Sequence, residues 1–174
     1  MYVENARPVI KQLLQGGELM AVEGSDDEVC KMLDLTCGTD YFQVYSDTGL
    51  VWGIASRMQE ADRPWNTFTV RKERASGVKT EYEKRADAIK RGGVYPFLTM
   101  QGYVNRHTGE LMSLAIARTI DIMAFIESGL ATVRRTGADQ RGQATFFVVD
   151  WEKLKKAGYR VKVYTAMQRG FLYA

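Results

Sequence analysis

Residues 38–59 read GTDYFQVYSDTGLVWGIASRMQ, and the interpretation of the fold turns on them. Tyr41 to Tyr45 is aromatic and β-branched, Ser46-Asp47-Thr48-Gly49 has the chemistry of a turn, and Leu50 to Met58 returns as a second strand. The stretch therefore predicts an antiparallel hairpin with Asp40 at its entrance. Upstream, Ser25-Asp26-Asp27-Glu28 is a capping box, with the Glu three residues after the Ser. It predicts a helix that turns Val29, Met32 and Leu33 to one side and stops near Gly38. Downstream, Asp62, Arg63 and Pro64 interrupt before Trp65 to Lys72, where Trp65, Thr67, Thr69 and Arg71 alternate with Asn66, Phe68, Val70 and Lys72. A second capping box, Thr80-Glu81-Tyr82-Glu83, opens a charged helix that closes at Gly92-Gly93.

Outside this region, Ala6, Val9, Ile10, Leu13 and Leu14 give residues 4–15 a helical period, with Pro8 expected in the first turn. Tyr95 to Val104 and Leu111 to Ala117 form a second hairpin around Asn105-Arg106-His107-Thr108-Gly109. Ile120, Met123, Ala124 and Ile126 predict a helix running to Gly129, and Val133 to Gln143 reads as a polar, flexible loop. Ala144 to Val149 is an apolar strand whose Phe146-Phe147 pair reads as core. Asp150 can cap a short helix from Trp151 to Ala157, and Tyr159 to Tyr164 is a last strand. Two hairpins within an irregular alternation predict an α/β fold of α+β character, with a mixed sheet and flanking helices. The whole of 1–174 is expected to form a single globular domain.

Composition narrows the chemistry. The chain carries 24 Lys and Arg against 21 Asp and Glu, a formal charge of +3 that permits a nucleic-acid partner without requiring one. His107 is the one histidine, and it sits in the second hairpin turn, so a multi-histidine metal centre is excluded. Cys30 and Cys37 cannot make a disulfide scaffold or a structural zinc site. Neither a dinucleotide glycine fingerprint nor a phosphate-binding Gly-Lys-Ser/Thr loop occurs. With no evident leader and no apolar run of membrane-spanning length, the expected compartment is cytoplasmic, with no membrane partner. Catalysis, if present, falls to carboxylates, Lys, Arg, Tyr or thiols.

Three groups of residues can carry chemistry. In the first, Asp40 enters the hairpin, and period-two alternation puts Ala55, Arg57 and Gln59 on one strand face. If Asp40 shares that face, a carboxylate meets a cation and an amide, a set able to bind a hard divalent cation and hold a phosphate. The second is basic and aromatic: Trp65, Arg71, Lys72, Arg74, Lys79 and the helix start with Glu81 and Glu83. Exposed amides at that helix start favour phosphate, and Glu81 and Glu83 add oxygen ligands for Mg2+ beside Asp40. The bland alternative for this helix is a solvated charged face with Glu81 and Arg85 one turn apart. The third comprises Arg134, Arg135 and Arg141 among small and polar residues, a set suited to clamping a sugar-phosphate backbone.

Gly38-Thr39-Asp40, Arg57-Met58-Gln59 and the preceding helix together resemble the restriction-endonuclease-like nuclease superfamily over about residues 25–90. The core of that superfamily is a helix, an antiparallel hairpin carrying Asp and then Glu/Gln-x-Lys, and a crossover helix. The resemblance implies a Mg2+-dependent nuclease. Asp40, with Glu81 or Glu83, would hold the metal, and Arg57, Arg71 or Lys79 would stabilise phosphoryl charge; Gln59 completes the set. The second motif departs from the pattern, reading Arg-Met-Gln where Glu or Gln, any residue and then Lys is expected. A rearranged active site and an inactive relative both remain open. The functions weighed are thus a metal-dependent phosphodiester-cleaving enzyme, a non-catalytic nucleic-acid-binding module, and a structural or protein-interaction domain.

Overall fold

A computed structural model of the chain describes residues 2–22, 26–135 and 144–166, with Asp34 described by its backbone alone. The elements in order are α1 (Tyr2–Leu14), β1 (Glu18–Ala21), α2 (Glu28–Cys37), β2 (Tyr41–Tyr45), β3 (Leu50–Ala61), β4 (Thr67–Arg74) and α3 (Glu81–Arg91). There follow β5 (Leu98–Asn105), β6 (Leu111–Arg118), α4 (Thr119–Glu127), β7 (Thr132–Arg135), β8 (Ala144–Asp150), α5 (Trp151–Lys156) and β9 (Val161–Thr165). They build a mixed α/β fold: a six-stranded sheet in the order β1-β2-β3-β5-β6-β9 and a three-stranded sheet in the order β4-β8-β7.

The hairpin predicted from residues 41–58 is present, and β3 runs on to Ala61. Its pairing changes along its length. Leu50 to Ile54 pair antiparallel with β2, whereas Ile54 to Ala61 pair in parallel with β5. The parallel step needs a crossover, and β4 and α3 supply it. Every residue of β5 from Leu98 to Val104 is buried, as expected of a strand covered on both faces.

Alternation sorts the two faces. Ile54, Met100, Leu114 and Ile116 point to α1 and pack with Val3, Ala6, Ile10 and Leu14. Tyr103, Ala115 and Ala117 point the other way, into a second core with Phe68, Val70, Phe125, Val149, Trp151 and Leu154. The small sheet, α4 and α5 thus cover the face opposite α1. Gly102 pairs with Met58 in the β3–β5 ladder, and a Cβ there would come within 2.6 Å of the Met58 sulfur, so the end of that flexible side chain would have to shift.

Local signals held where they depended on nearby residues. Thr80 and Glu83 form the complete capping box of α3, and Gly92 ends it with φ 65°. Asp150 Oδ1 accepts from Lys153 N–H at 2.9 Å and starts α5. Asn105 Oδ1 accepts from the N–H groups of His107 and Thr108, fixing the second hairpin turn with His107 exposed. Asp27 Oδ1 accepts from Val29 and Cys30 N–H groups at the start of α2, while Ser25 lies outside the described residues.

Other expectations are corrected. Helix α1 begins at Tyr2, so Pro8 lies inside it rather than in its first turn. Residues 18–21, with no strand signal of their own, become β1 through pairing with β2. Residues 132–135 form β7 rather than the start of a loop. Among the described residues, no helix is long and apolar enough to cross a membrane.

Leu114 is fully buried at the centre of the α1-facing core. Leu114→Ala should therefore lower the unfolding free energy by about 2–5 kcal/mol, read from the shift in urea midpoint at unchanged slope.

Candidate functional site

A cleft opens where β3 leaves β2. The Asp40 N–H still donates to the Ile54 carbonyl at 2.9 Å, extending the hairpin by one bond. From Ala55 onward, no strand among the described residues lies beside that edge of β3. Asp40 turns its carboxylate onto this edge, and Oδ2 accepts from the Ser56 N–H at 2.5 Å. Helix α3 closes the other side. In its first turn Glu81 Oε2 accepts from the Arg71 N–H at 2.9 Å and lies 4.0 Å from Arg57 Nη1. One turn later Arg85 is only 7% exposed. The resulting cleft of about 330 Å³ is lined by the carboxylates of Asp40 and Glu81 and by the cations Arg57, Arg74, Lys84 and Arg85. A larger cavity of about 490 Å³ lies beside α1, but its Arg7 is already held by Glu4 and the Leu19 carbonyl.

Cations outnumber carboxylates in the cleft, and burial makes the imbalance matter. Burial pushes the Arg85 guanidinium below the ordinary arginine pKa; Glu81 and Asp40 oppose the shift, and Arg57 adds to it. Arg57 is depressed the same way, chiefly by burial, with Glu81 opposing and Arg71 reinforcing. Among the described residues, the buried Nε donors of Arg71 and Arg74 also have no hydrogen-bond acceptor. Each such donor costs about 1–3 kcal/mol if left unsatisfied. Positive charge in the cleft exceeds what the Asp40 and Glu81 carboxylates supply.

The residues singled out from sequence divide accordingly. Asp40, Arg57, Arg74 and Glu81 meet in the cleft. Arg71 stands beside it, with its guanidinium carbon 5.5 Å from the Phe146 ring centre. Gln59 lies further along β3 in an adjoining groove, its Oε1 accepting from Gln101 Nε2 at 2.7 Å. Glu83 caps α3, with Oε2 accepting from Thr80 N–H at 2.7 Å and Thr80 Oγ1 at 3.0 Å. Lys79 is exposed and paired with Asp87 at 2.6 Å. Lys72 points to the opposite face of β4, over Phe147. Arg134 and Arg135 are carried on β7 opposite Phe146 and Thr145, and Arg141 lies outside the described residues.

The carboxylates that the cleft offers to a divalent cation are those of Asp40 and Glu81. Among the described residues, no three His, Cys, Asp or Glu side chains group as metal ligands. Asp40 and Glu81 each already accept a backbone N–H, and Arg57 and Arg85 supply the positive charge a divalent ion would bring.

Lys84 and Arg85 belong to the basic helix start read from sequence but carry no individual role there; in the structure Arg85 is buried rather than on a solvated face, and the Lys84 ammonium reaches the Leu35 carbonyl at the end of α2. A signal existed for Arg85. Tyr82, Ala86 and Ile89 form the inward stripe of α3, and Arg85 lies on it, three residues after Tyr82 and four before Ile89.

The cap assignment of Glu83 has a pH signature. Its hydrogen bonds to the Thr80 backbone and hydroxyl hold the carboxyl below its ordinary value of 4.5. A lowered folded-state pKa stabilises the fold fully above the unfolded value, and the contribution is lost as pH falls through the folded value. The stability difference between the natural protein and Glu83→Gln should therefore shrink as pH drops below 4.5, measured by urea titration. A difference independent of pH would contradict the cap.

Comparison with family models, with curated proteins and with solved structures returns no match for this chain.

Proposed function

We propose that this chain binds nucleic acid through its sugar-phosphate backbone, with a phosphate seated in the cleft between β3 and α3. The carrying observation is the convergence of Arg57, Arg74, Lys84 and Arg85 on one opening, beside the buried Nε groups of Arg71 and Arg74, which have no acceptor among the described residues. Guanidinium groups present paired N–H donors that match phosphate oxygens, and phosphate charge offsets the cost of keeping Arg57 and Arg85 ionised out of water. Asp40 and Glu81 act as positioning groups. Asp40 fastens the open edge of β3, while Glu81 holds the Arg71 backbone and lies against Arg57. Arg134 on β7, in the same row as Arg71 and Phe146, extends the positive surface beyond the cleft.

Binding to fluorescent oligonucleotides should weaken steeply with salt and should be the same in Mg2+ and in EDTA. Arg57→Gln and Arg74→Gln should each weaken binding across unrelated sequences. Each should also reduce the log–log salt slope, by roughly 0.7 on single strands or 0.9 on duplex per lost phosphate contact. Unchanged affinity and slope in both variants would sink the proposal.

A second reading, a phosphodiester-cleaving nuclease of endonuclease-like fold, is favoured by one arrangement. Helix α2, the β2–β3 hairpin with Asp40 at its entrance, and α3 leading to the parallel strand β5 follow the helix, hairpin and crossover order of that superfamily; Glu81 shares Asp40's cleft. Cleavage of DNA or RNA with Mg2+ or Mn2+, abolished by Asp40→Asn, would establish it. Intact strands under those conditions leave the binding reading alone.

A further inference from the structure

Beside the cleft, and sharing Arg57 and Thr69 with it, lies a groove of about 460 Å³ on the outer face of the small sheet. Strand register builds its floor: Arg71, Phe146 and Arg134 form one row across β4, β8 and β7, and Thr69, Val148 and Thr132 form the next. The sequence placed Phe146 in the core together with Phe147. In the structure only Phe147 turns inward, against Tyr82, whereas Phe146 faces the groove beneath Arg57 at 4.9 Å and Arg71 at 5.5 Å. At the groove margin Trp65 is 48% exposed, with Arg63 at 5.3 Å and Arg134 at 5.4 Å from its ring. A half-exposed and a partly buried aromatic ring, each with guanidinium groups near it and next to a cationic cleft, are suited to flat, electron-rich rings joined to phosphate.

The polar groups of the groove are oriented by a chain of hydrogen bonds. The Thr69 backbone N–H can only donate, and it donates to Gln101 at 2.8 Å, so the Gln101 oxygen must face it. The Gln101 amide nitrogen is then turned to Gln59 at 2.7 Å, which requires the Gln59 oxygen on that side. Gln59 is left presenting its NH2 as a donor to the groove that it lines. Across the groove Asp150 uses Oδ1 to cap α5 and brings a carboxylate acceptor to the same lining. A donor and an acceptor beside aromatic surface match the hydrogen-bonding edge of a nucleobase.

We infer that this groove receives an unpaired nucleobase of a single-stranded nucleic acid whose phosphate occupies the Arg57–Arg85 cleft. The inference rests on the backbone-binding reading above and names its substrate class. A base inside a duplex has its faces stacked and its edge paired, so it cannot meet Trp65, Phe146 and Gln59 together. Arg57, common to both cavities, spans the step from phosphate to base.

The test compares an oligothymidylate, an abasic oligodeoxynucleotide of equal length, and a duplex, by anisotropy on the natural protein, Trp65→Phe, Trp65→Ala and Gln59→Leu. The base-bearing single strand should bind on the order of tenfold more tightly than the abasic strand and the duplex. Trp65→Ala should remove that advantage, Trp65→Phe should keep most of it, and Gln59→Leu should reduce it. The salt slope should not change, because no charge is removed. Thermal unfolding of Trp65→Ala should match that of the natural protein, since Trp65 is half exposed. Equal binding of base-bearing and abasic strands overturns the base groove and leaves the backbone reading standing. Loss of binding to every strand overturns both. Self-association abolished by Trp65→Ala, without any base preference, would make a second copy the occupant and overturn the inference.

Discussion

β3 changes hydrogen-bond partners at Ile54, and the rest of the molecule is arranged around that change. Up to Ile54 it is the return strand of a hairpin with β2; beyond it, its one strand partner among the described residues is β5. An edge exposed halfway along a strand leaves backbone groups without a ladder, which is unfavourable unless something else satisfies them. Asp40 does so at Ser56, using a carboxylate where a paired strand would use a carbonyl. The parallel pairing with β5 demands a crossover, and the crossover brings β4 and α3 over the open edge. The cleft follows from pairing rules, before any ligand is considered.

Helix α3 sets the character of that cleft. Its capping box and the αL glycine at its end fix where it starts and stops, so Glu81 in the first turn and Arg85 one turn later are held at the opening. Tyr82, Ala86 and Ile89 anchor the same face to the core, and Arg85 is buried with them. A buried guanidinium is costly unless opposed by charge, and Asp40 and Glu81 are the opposing groups. Arg57, Arg74 and Lys84 add cations to the same opening, leaving positive charge that an anion would offset.

Much of the local architecture is readable along the chain, because caps, turns and glycine stops depend on residues two to four apart. Thr80 with Glu83, Asp150 with Lys153 and Asn105 with His107 are bonds of this kind, and each lies where the spacing places it. β1 and β7 are different. Glu18–Ala21 and Thr132–Arg135 are mostly exposed and carry no apolar alternation, so they become strands only because β2 and β8 offer them hydrogen-bonding edges. The face of β8 that each phenylalanine takes is likewise decided by the layer beneath it: Phe147 meets Tyr82 of α3, and Phe146 is left to Arg57 and Arg71.

The amino-acid sequence by itself determined the hairpin at residues 41–58, the capped helix after Thr80, the second hairpin and the mixed character of the sheet, since each is set by side chain–backbone bonds and apolar periods within one or two elements. It also marked Asp40, Arg57, Arg74 and Glu81 as residues able to hold charge. Only the tertiary structure decided that these four share a cleft, that Arg85 is buried beside them, and that Glu83, Lys79 and Lys72 are turned to other tasks. The physical reason is that a charge acquires its role from burial and from its opposing charges. Asp40 and Glu81, which oppose Arg85, lie some forty residues apart in the chain and are brought together by the β3–β5 crossover.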